Sequence, residues 1–384
     1  MEKVNVKNGI DVIEKYADLF RGKRVGLITG PTGLDKNLKS TIDIIIEKFN
    51  LTALFSPEHG IRGNFQAGVH VENYLDEKTG IKVYSLYGKN RKPSSEVLKD
   101  IDVLVMDIQD VGARFYTYLY TMTNSMESCA ENGKPFVVLD RINPIGGEIV
   151  EGNILNTEFQ SFVGLYPVAS RYGLTIGEFA SLVNKEFNIN CDLHIVKCEG
   201  WRRELYFDET DLQWVAPSPN IPTIDTAILY PGTCVFEGTN ISEGRGTTKP
   251  FEIIGAPWLD PYKLADLMNN KGFEGVIFRP VYFEPTFSKH KGELCRGVQI
   301  HIKDRKKIEG FKIGLQLLYN IKEMSGDKFS WLPPFKEGTP YFIDHLMGTD
   351  EIRLEKYSMD EIILKYQEQI KTFTLLKNQY HLYE

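Results

Sequence analysis

The chain of 384 residues lacks the marks of several protein classes. No stretch approaches the roughly 20 apolar residues that a helix needs to cross a bilayer. The first residues include no apolar segment of the kind found in secretory signals. The sequence has few cysteines, an odd number without paired metal-site spacing, which indicates reduced thiols: Cys129, Cys191, Cys198, Cys234 and Cys295. We therefore expect a cytoplasmic protein, with an exported protein that has lost its signal as the alternative.

The chain also lacks a surplus of positive charge. Its formal net charge is -7, whereas nucleic-acid binders normally carry a basic excess. The short basic cluster at 303–307 contains an aspartate and is typical of a solvated turn. Hydrophobic residues make up 42% of the chain, which is enough for a sizeable core, and the length favours two domains.

Motifs for nucleotides, metals and activated nucleophiles are missing as well. There is no Gly-x-Gly-x-x-Gly after the first predicted strand, no phosphate-binding Gly-x-x-x-x-Gly-Lys-Ser/Thr and no Gly-x-Ser-x-Gly. His59, His70, Asp107 and Asp110 are a conceivable metal set, but their spacing matches no known metal motif. We expect no cofactor and no metal, and we keep a metal-dependent hydrolase as an alternative.

What is present is an alternation of short apolar runs and amphipathic segments. Near-continuous apolar strands that alternate with helices indicate a parallel sheet covered on both faces. The fold class is therefore α/β, a Rossmann-like doubly wound mostly parallel sheet with a second, smaller α+β auxiliary domain. We place the Rossmann-like domain at 1–245 and the auxiliary domain at 246–384, and we predict an ordered functional loop region over 213–258. The predicted strands are 25–29, 51–55, 83–86, 103–107, 136–139 and 193–196.

The loops that leave the carboxyl ends of these strands are rich in glycine and polar residues, and ligands bind at this edge in such sheets. The densest is Ser56–Gly63, which follows an apolar strand and holds a glutamate, a histidine and an arginine. With the other motifs absent, acid–base chemistry by carboxylates is the function that remains. Glycosidic cleavage needs a proton donor and usually a second carboxylate, unless the substrate's own N-acetyl group attacks. The candidate carboxylates are Glu58, Asp107, Asp110, Asp140, Glu237 and Glu243.

Arginines in glycine-bearing loops can bind a substrate carboxylate through two parallel hydrogen bonds. Arg62, Arg114 and Arg245 are in such loops. The aromatic run that begins the long predicted helix, which includes Tyr116, can pack against a sugar face, although ordinary core packing explains each ring equally well.

Several long motifs occur in a fixed order along the whole chain. They are Ser-Pro-Glu-His-Gly-Ile-Arg-Gly at 56–63, Asp-Ile-Gln-Asp-Val-Gly-Ala-Arg-Phe-Tyr-Thr-Tyr at 107–118, Leu-Asp-Arg-Ile-Asn-Pro-Ile-Gly-Gly at 139–147, Pro-Ser-Pro-Asn-Ile-Pro-Thr at 217–223, Glu-Gly-Thr-Asn-Ile-Ser-Glu-Gly-Arg-Gly-Thr at 237–247 and Gly-Ala-Pro-Trp at 255–258. With these motifs the chain resembles the exo-β-N-acetylmuramidase family.

The resemblance implies a glycoside hydrolase that releases terminal N-acetylmuramic acid from the non-reducing end of peptidoglycan fragments, in a cleft between the two domains. It implies that Glu58 is the catalytic acid/base. We expect His59 and Asp110 to assist it, and one of the three arginines to bind the lactyl carboxylate. Tyr116, Asn220 and Glu243 complete the predicted substrate-binding set. A muropeptide-binding protein without catalysis remains an alternative.

Overall fold

The computed structural model describes residues 3–63, 72–88 and 90–384. Within these ranges the central sheet has seven strands in the order β3-β4-β2-β1-β5-β6-β9. All neighbours pair in parallel except β3 and β4. The strands are β1 (Arg24–Thr29), β2 (Asn50–Ser56), β3 (Tyr74–Leu75), β4 (Lys82–Ser85), β5 (Val103–Asp107), β6 (Phe136–Leu139) and β9 (Leu193–Val196). The predicted doubly wound, mostly parallel sheet is confirmed.

Alternate residues of the strands supply two separate cores. In β5, Val103 and Val105 join the cluster on one face, whereas Leu104 and Met106 join the cluster on the other, as the period of two requires. A kinked 3-10 segment (Gly9–Leu19) and α1 (Thr41–Lys48) cover the first face. The second face packs against α3 (Tyr118–Glu131) and α4 (Ile176–Glu186), and α2 (Ser95–Leu98) lies before β5.

The rest of the chain is built around a three-stranded antiparallel sheet in the order β10-β12-β11. Its strands are β10 (Ile253–Ala256), β11 (Val276–Phe283) and β12 (Cys295–Ile302), and β7 (Glu151–Ile154) pairs with β8 (Ala169–Arg171) in a separate ribbon. The helices of this part are α5 (Ile224–Thr233), α6 (Pro261–Asn269), α7 (Gly310–Ser325), α8 (Phe342–Met347) and α9 (Met359–Lys377).

The region 213–258, predicted as a loop, contains the helix α5 and the strand β10. Pro231 lies inside α5, which is why the sequence pattern did not indicate a helix there. Glycine makes the packing of this helix possible: a Cβ atom on Gly232 would lie 1.9 Å from the carbonyl oxygen of Gly310, and one on Gly314 would lie 2.1 Å from that of Gly232. The backbones of α5 and α7 therefore touch.

The core on the second face of the central sheet continues without interruption into α5, α7 and α9. Burial alone draws no line between two domains, so the division at 245/246 stays a prediction. In the part of the chain that the structure describes, no helix combines the length and apolarity needed to cross a membrane.

Candidate active site

The loop after β2 places Glu58 at the carboxyl edge of the sheet. His59 and Gly60 both have positive φ angles, of 75° and 80°, so the chain turns sharply just after the glutamate. A histidine rarely adopts this conformation, whose cost is on the order of 1–3 kcal/mol. Gly63, at the end of the loop, has φ of 72° and lies so close to Pro31 that a Cβ there would be 3.1 Å from the proline ring. The loop after β2 therefore packs against the loop after β1.

A cavity of about 330 Å³ opens beside this loop. Its walls come from the sheet edge, from the segment 218–221 and from the part of the chain beyond α5. The lining includes six residues predicted from the sequence: Glu58, His59, Tyr116, Asn220, Glu237 and Arg245. Its other described residues are Tyr87, Phe115, Thr117, Tyr118, Phe162, Val163, Ser218, Ile221, Tyr230, Phe251 and Phe342.

Among the described residues, the hydroxyl groups of Thr117 and Tyr87 bind the carboxyl group of Glu58. The Thr117 Oγ1 donates to Glu58 Oε2 at 3.1 Å. Thr117 is the residue before the first turn of α3, yet its side chain does not cap the helix, so a stabilising helix contact is given up for the contact with Glu58. The Tyr87 hydroxyl also forms a hydrogen bond with Glu58. Burial, followed by the negative charge of Glu58, raises the pKa of Tyr87, so this hydroxyl stays a donor.

The tyrosines beneath Glu58 are also held in their neutral form. Burial raises the pKa values of Tyr116 and Tyr118 well above the ordinary range, and the nearby charges of Glu58 and Asp110 add to the effect. The Tyr118 hydroxyl donates to the carbonyl oxygen of Pro217 at 2.8 Å, which ties α3 to the segment that carries Asn220. The floor of the cavity is therefore uncharged and fixed.

The cavity lining carries a second carboxylate. Glu237 Oε1 accepts hydrogen bonds from Nε of Arg245, at 2.9 Å, and from its Nη2. Burial opposes the charge of Arg245, but the carboxylates of Glu237 and Glu243 raise the pKa of the guanidinium above its ordinary value. Within the described residues the hydrogen bonds of Arg245 use Nε and Nη2, which leaves Nη1 for a ligand.

Asn220 offers a further polar contact to the cavity. Its side chain is 4% exposed, and among the described residues its Nδ2 has no hydrogen-bond partner. A buried amide group without a hydrogen-bond partner costs free energy. A ligand that accepts a hydrogen bond from this group recovers that cost. The aromatic wall beside it is formed by Phe115, Tyr116, Tyr230 and Phe251, whose neighbouring rings meet edge to face.

The structure places two of the predicted arginines outside the cavity lining. Arg62 binds Asp76 through two hydrogen bonds, Nε to Oδ1 at 3.1 Å and Nη2 to Oδ2 at 2.9 Å. Arg114 is fully buried and donates to four carbonyl oxygens, and burial lowers its pKa to about 10. These four carbonyls belong to Asn153, Val168, Leu346 and Met347. Both arginines hold parts of the fold together.

Asp110 and Glu243 also lie behind the cavity wall. Asp110 accepts the Gly112 N–H at 2.6 Å and the Tyr172 hydroxyl, and burial raises its pKa to about 6. Glu243 is 2% exposed and accepts a hydrogen bond from Lys289 at 2.7 Å. Its other oxygen lies 3.3 Å from Arg245, so Glu243 positions that arginine from behind.

The two remaining candidate carboxylates are occupied inside the fold. Asp107 receives Nε of Arg141 at 2.6 Å and its Nη2 at 2.9 Å, and is fully buried. Asp140 accepts hydrogen bonds from Thr175 and from the Gly177 N–H at the start of α4, and burial raises its pKa to about 7. Asp140 therefore binds a backbone amide at the start of a helix, whereas Asp107 pairs with a buried arginine, so both carboxylates have roles within the fold.

No group of three or more histidine, cysteine or acidic side chains in the described ranges is arranged to hold a metal ion. His70, a member of the predicted metal set, lies outside the described residues.

Sequence reasoning missed several residues of the site. Thr117 and Tyr87 follow predicted strands, so their position at the sheet edge was a usable signal. Phe162 and Phe342 reach the cavity from segments for which no element was predicted, and only the tertiary structure brings them there.

Comparisons with known proteins agree with this architecture. The model of the family described as "Exo-beta-N-acetylmuramidase NamZ, N-terminal" matches residues 25–225, and the corresponding C-terminal model matches residues 228–383. The chain is 50% identical over 388 aligned positions to the peptidoglycan beta-N-acetylmuramidase NamZ of Bacillus subtilis (strain 168), an alignment that covers 100% of this chain and 92% of the relative.

Two solved structures, both of DUF1343 family proteins from Bacteroides fragilis NCTC 9343, have the same fold. One superposes with a TM-score of 0.90 at 41% identity and covers 100% of both chains. The other has a TM-score of 0.80 at 32% identity and covers 99% of both chains. The cavity lies where the regions matched by the two family models meet, and its walls come from both. The chain belongs to the exo-β-N-acetylmuramidase family and is a glycoside hydrolase.

Proposed function

We propose that this enzyme releases a terminal N-acetylmuramic acid residue from peptidoglycan fragments, with Glu58 as the proton donor. The relative from Bacillus subtilis is named for its action on peptidoglycan. The observation that carries the proposal is the pairing of Glu58 with Thr117 and Tyr87 in a cavity whose lining also holds the Glu237–Arg245 ion pair.

The two carboxylates of the cavity have different roles in this proposal. Glu58 lines the cavity and accepts hydrogen bonds from the hydroxyls of Thr117 and Tyr87. It gives its proton to the glycosidic oxygen as the bond from that oxygen to C1 breaks. The carboxylate of Glu237, which is paired with Arg245, stabilises the positive charge that develops on the sugar ring.

Two routes complete the reaction. In one, Glu237 accepts a proton from a water molecule that attacks C1 from the opposite face, and the anomeric configuration inverts. In the other, the carbonyl oxygen of the substrate's N-acetyl group attacks C1 first and forms an oxazolinium ring. Water then opens this ring by attack on C1, and the anomeric configuration is retained. The anomer that is released first distinguishes the routes.

Binding uses the remaining polar groups of the lining. In this proposal Arg245 Nη1 donates a hydrogen bond to the lactyl carboxylate, since a negatively charged substrate in a net acidic protein needs a local cation. Asn220 Nδ2 donates to an oxygen of the acetamido group or the ring hydroxyls, and the aromatic wall packs against the apolar face of the sugar. His59 contributes to the lining beside Glu58.

The test is to incubate the protein with a disaccharide of N-acetylmuramic acid linked to N-acetylglucosamine, with and without a chelator, and to identify the products by mass spectrometry. We expect free N-acetylmuramic acid in both samples. Tight binding without release favours a binding protein instead. Release that stops on chelation and returns with a divalent ion favours a metal-dependent hydrolase.

A further inference from the structure

Phe335 is the most exposed large hydrophobic residue in the described ranges, with 84% of its surface accessible to solvent. Single exposed apolar residues are common on protein surfaces, so exposure alone does not indicate a binding site. The position of the ring beside the cavity does.

The Phe335 ring packs against the Phe342 ring, with centroids 5.5 Å apart and planes at 68°. Phe342 is half-buried and lines the catalytic cavity. The phenylalanine pair therefore runs from the lining of the cavity to the open surface.

The loop that carries Phe335 is held in shape. Two prolines at 333–334 restrict the backbone just before the ring. After it, the N–H of Thr339 donates to the carbonyl oxygen of Lys336 at 3.1 Å, and its hydroxyl donates to the same oxygen at 2.6 Å. The backbone is therefore restricted on both sides of Phe335, and less backbone entropy is lost when a ligand covers the ring.

The volume of the cavity indicates how many sugar residues it can hold. A volume of about 330 Å³ is at the low end of the range for small-molecule sites, and it suits one sugar residue. In an exo-acting enzyme the terminal sugar fills the cavity, so the sugar on the other side of the scissile bond must lie outside it. The exposed Phe335 ring, which packs against a residue of the cavity lining, is a surface that such a sugar can cover with its apolar C–H face.

We propose that the Phe335–Phe342 pair binds the leaving-group sugar, the hexosamine joined to the terminal N-acetylmuramic acid. This inference rests on the proposed function and adds a second saccharide subsite to it. Phe342 contacts both sugars, because it lines the cavity, and Phe335 contacts the leaving sugar alone.

The experiment compares two substrates on the Phe335→Ala variant. One is the disaccharide of N-acetylmuramic acid and N-acetylglucosamine, and the other is methyl β-N-acetylmuramide, whose leaving group is too small to reach Phe335. We expect the ratio of kcat/KM for the disaccharide to kcat/KM for the methyl glycoside to fall about tenfold, the effect of one aromatic contact. The control is Tyr262→Ala, which removes a 61% exposed ring from α6 and should leave the ratio unchanged.

An unchanged ratio in Phe335→Ala would overturn the inference, and so would an equal fall in Tyr262→Ala. The wild-type protein separates this failure from that of the proposed function. If it releases N-acetylmuramic acid from neither substrate, the proposed function fails together with the subsite. If it cleaves both and the ratio does not respond to Phe335, only the subsite fails.

Discussion

Glu58 and Asp107 leave strands on either side of β1, at the same edge of the sheet, and they meet opposite surroundings. Asp107 is fully buried and bonded to Arg141 and to the Thr41 hydroxyl. Glu58 is half-buried, faces a cavity and accepts hydrogen bonds from the Thr117 and Tyr87 hydroxyls. A fully buried carboxylate bonded to a buried cation is part of the fold, whereas a carboxylate that faces a cavity is placed to exchange a proton with a ligand.

The same contrast separates Arg114 from Arg245. Arg114 donates hydrogen bonds to the carbonyl oxygens of three segments, so it joins parts of the fold. Arg245 is bonded along one edge to Glu237 and keeps Nη1 for a ligand. Charge and sequence context alone do not distinguish the two, because both lie near glycine in polar motifs.

The largest expected effect on stability tests the structural carboxylate. Asp107→Asn leaves the Arg141 charge buried without its counter-ion, so we expect the free energy of unfolding to fall by about 3–5 kcal/mol. Glu58→Gln should change it by less than about 1 kcal/mol, because the side chain faces the cavity. Urea titration measures both. Equal losses in the two variants would erase the contrast between these carboxylates.

The second prediction sharpens the contrast between arginines. Arg245→Lys keeps the charge beside Glu237 but loses the planar guanidinium, so we expect KM for the disaccharide to rise about 10- to 30-fold. The matched control is Arg62→Lys, which breaks the two hydrogen bonds to Asp76 outside the cavity and should leave KM within about twofold. Steady-state kinetics measures both variants. A rise in KM confined to Arg62→Lys would reverse our assignment.

The smallest expected effect concerns the hydroxyls that bind Glu58. Thr117→Val and Tyr87→Phe each remove a hydrogen bond to the Glu58 carboxyl group, so we expect kcat/KM for the disaccharide to fall about fivefold in each variant, the effect of one neutral hydrogen bond. Tyr84→Phe, on the neighbouring strand β4, is the control and should leave kcat/KM within about twofold. Steady-state kinetics measures the three variants. An unchanged kcat/KM in both Thr117→Val and Tyr87→Phe, or an equal fall in Tyr84→Phe, would contradict the prediction.

Most of the secondary structure of the central sheet was predictable from the sequence. The predicted strands agree with the structure to within one residue, because buried parallel strands are continuous apolar runs. The helix α5 was not predicted, since Pro231 and Gly232 are typical of loops. Its stability comes from the close packing against α7 at Gly310 and Gly314, which local sequence does not encode.

The site was predictable where a motif placed its residues on a strand-to-loop junction. Glu58, His59 and Tyr116 follow the two strands on either side of β1, so the sheet topology indicates that they share one edge. Glu237 and Arg245 were candidates from their motif, but only the tertiary packing after α5 shows that they line the same cavity. Burial explains the residues that the structure keeps outside the lining: nothing in the sequence around Arg114 or Asp110 indicates that each would be enclosed by the fold.

The central claim is that Glu58 donates the proton to the leaving group. The most direct test compares a substrate whose leaving group requires that proton with one whose leaving group does not. The measurement is kcat/KM of Glu58→Gln on the disaccharide and on 2,4-dinitrophenyl N-acetylmuramide, whose leaving group departs without protonation. Our account predicts a loss of about 1000-fold or more on the disaccharide, within the range for removal of a general acid, and a loss of less than about tenfold on the dinitrophenyl substrate. Equal losses on the two substrates, or retained activity on the disaccharide, would contradict it.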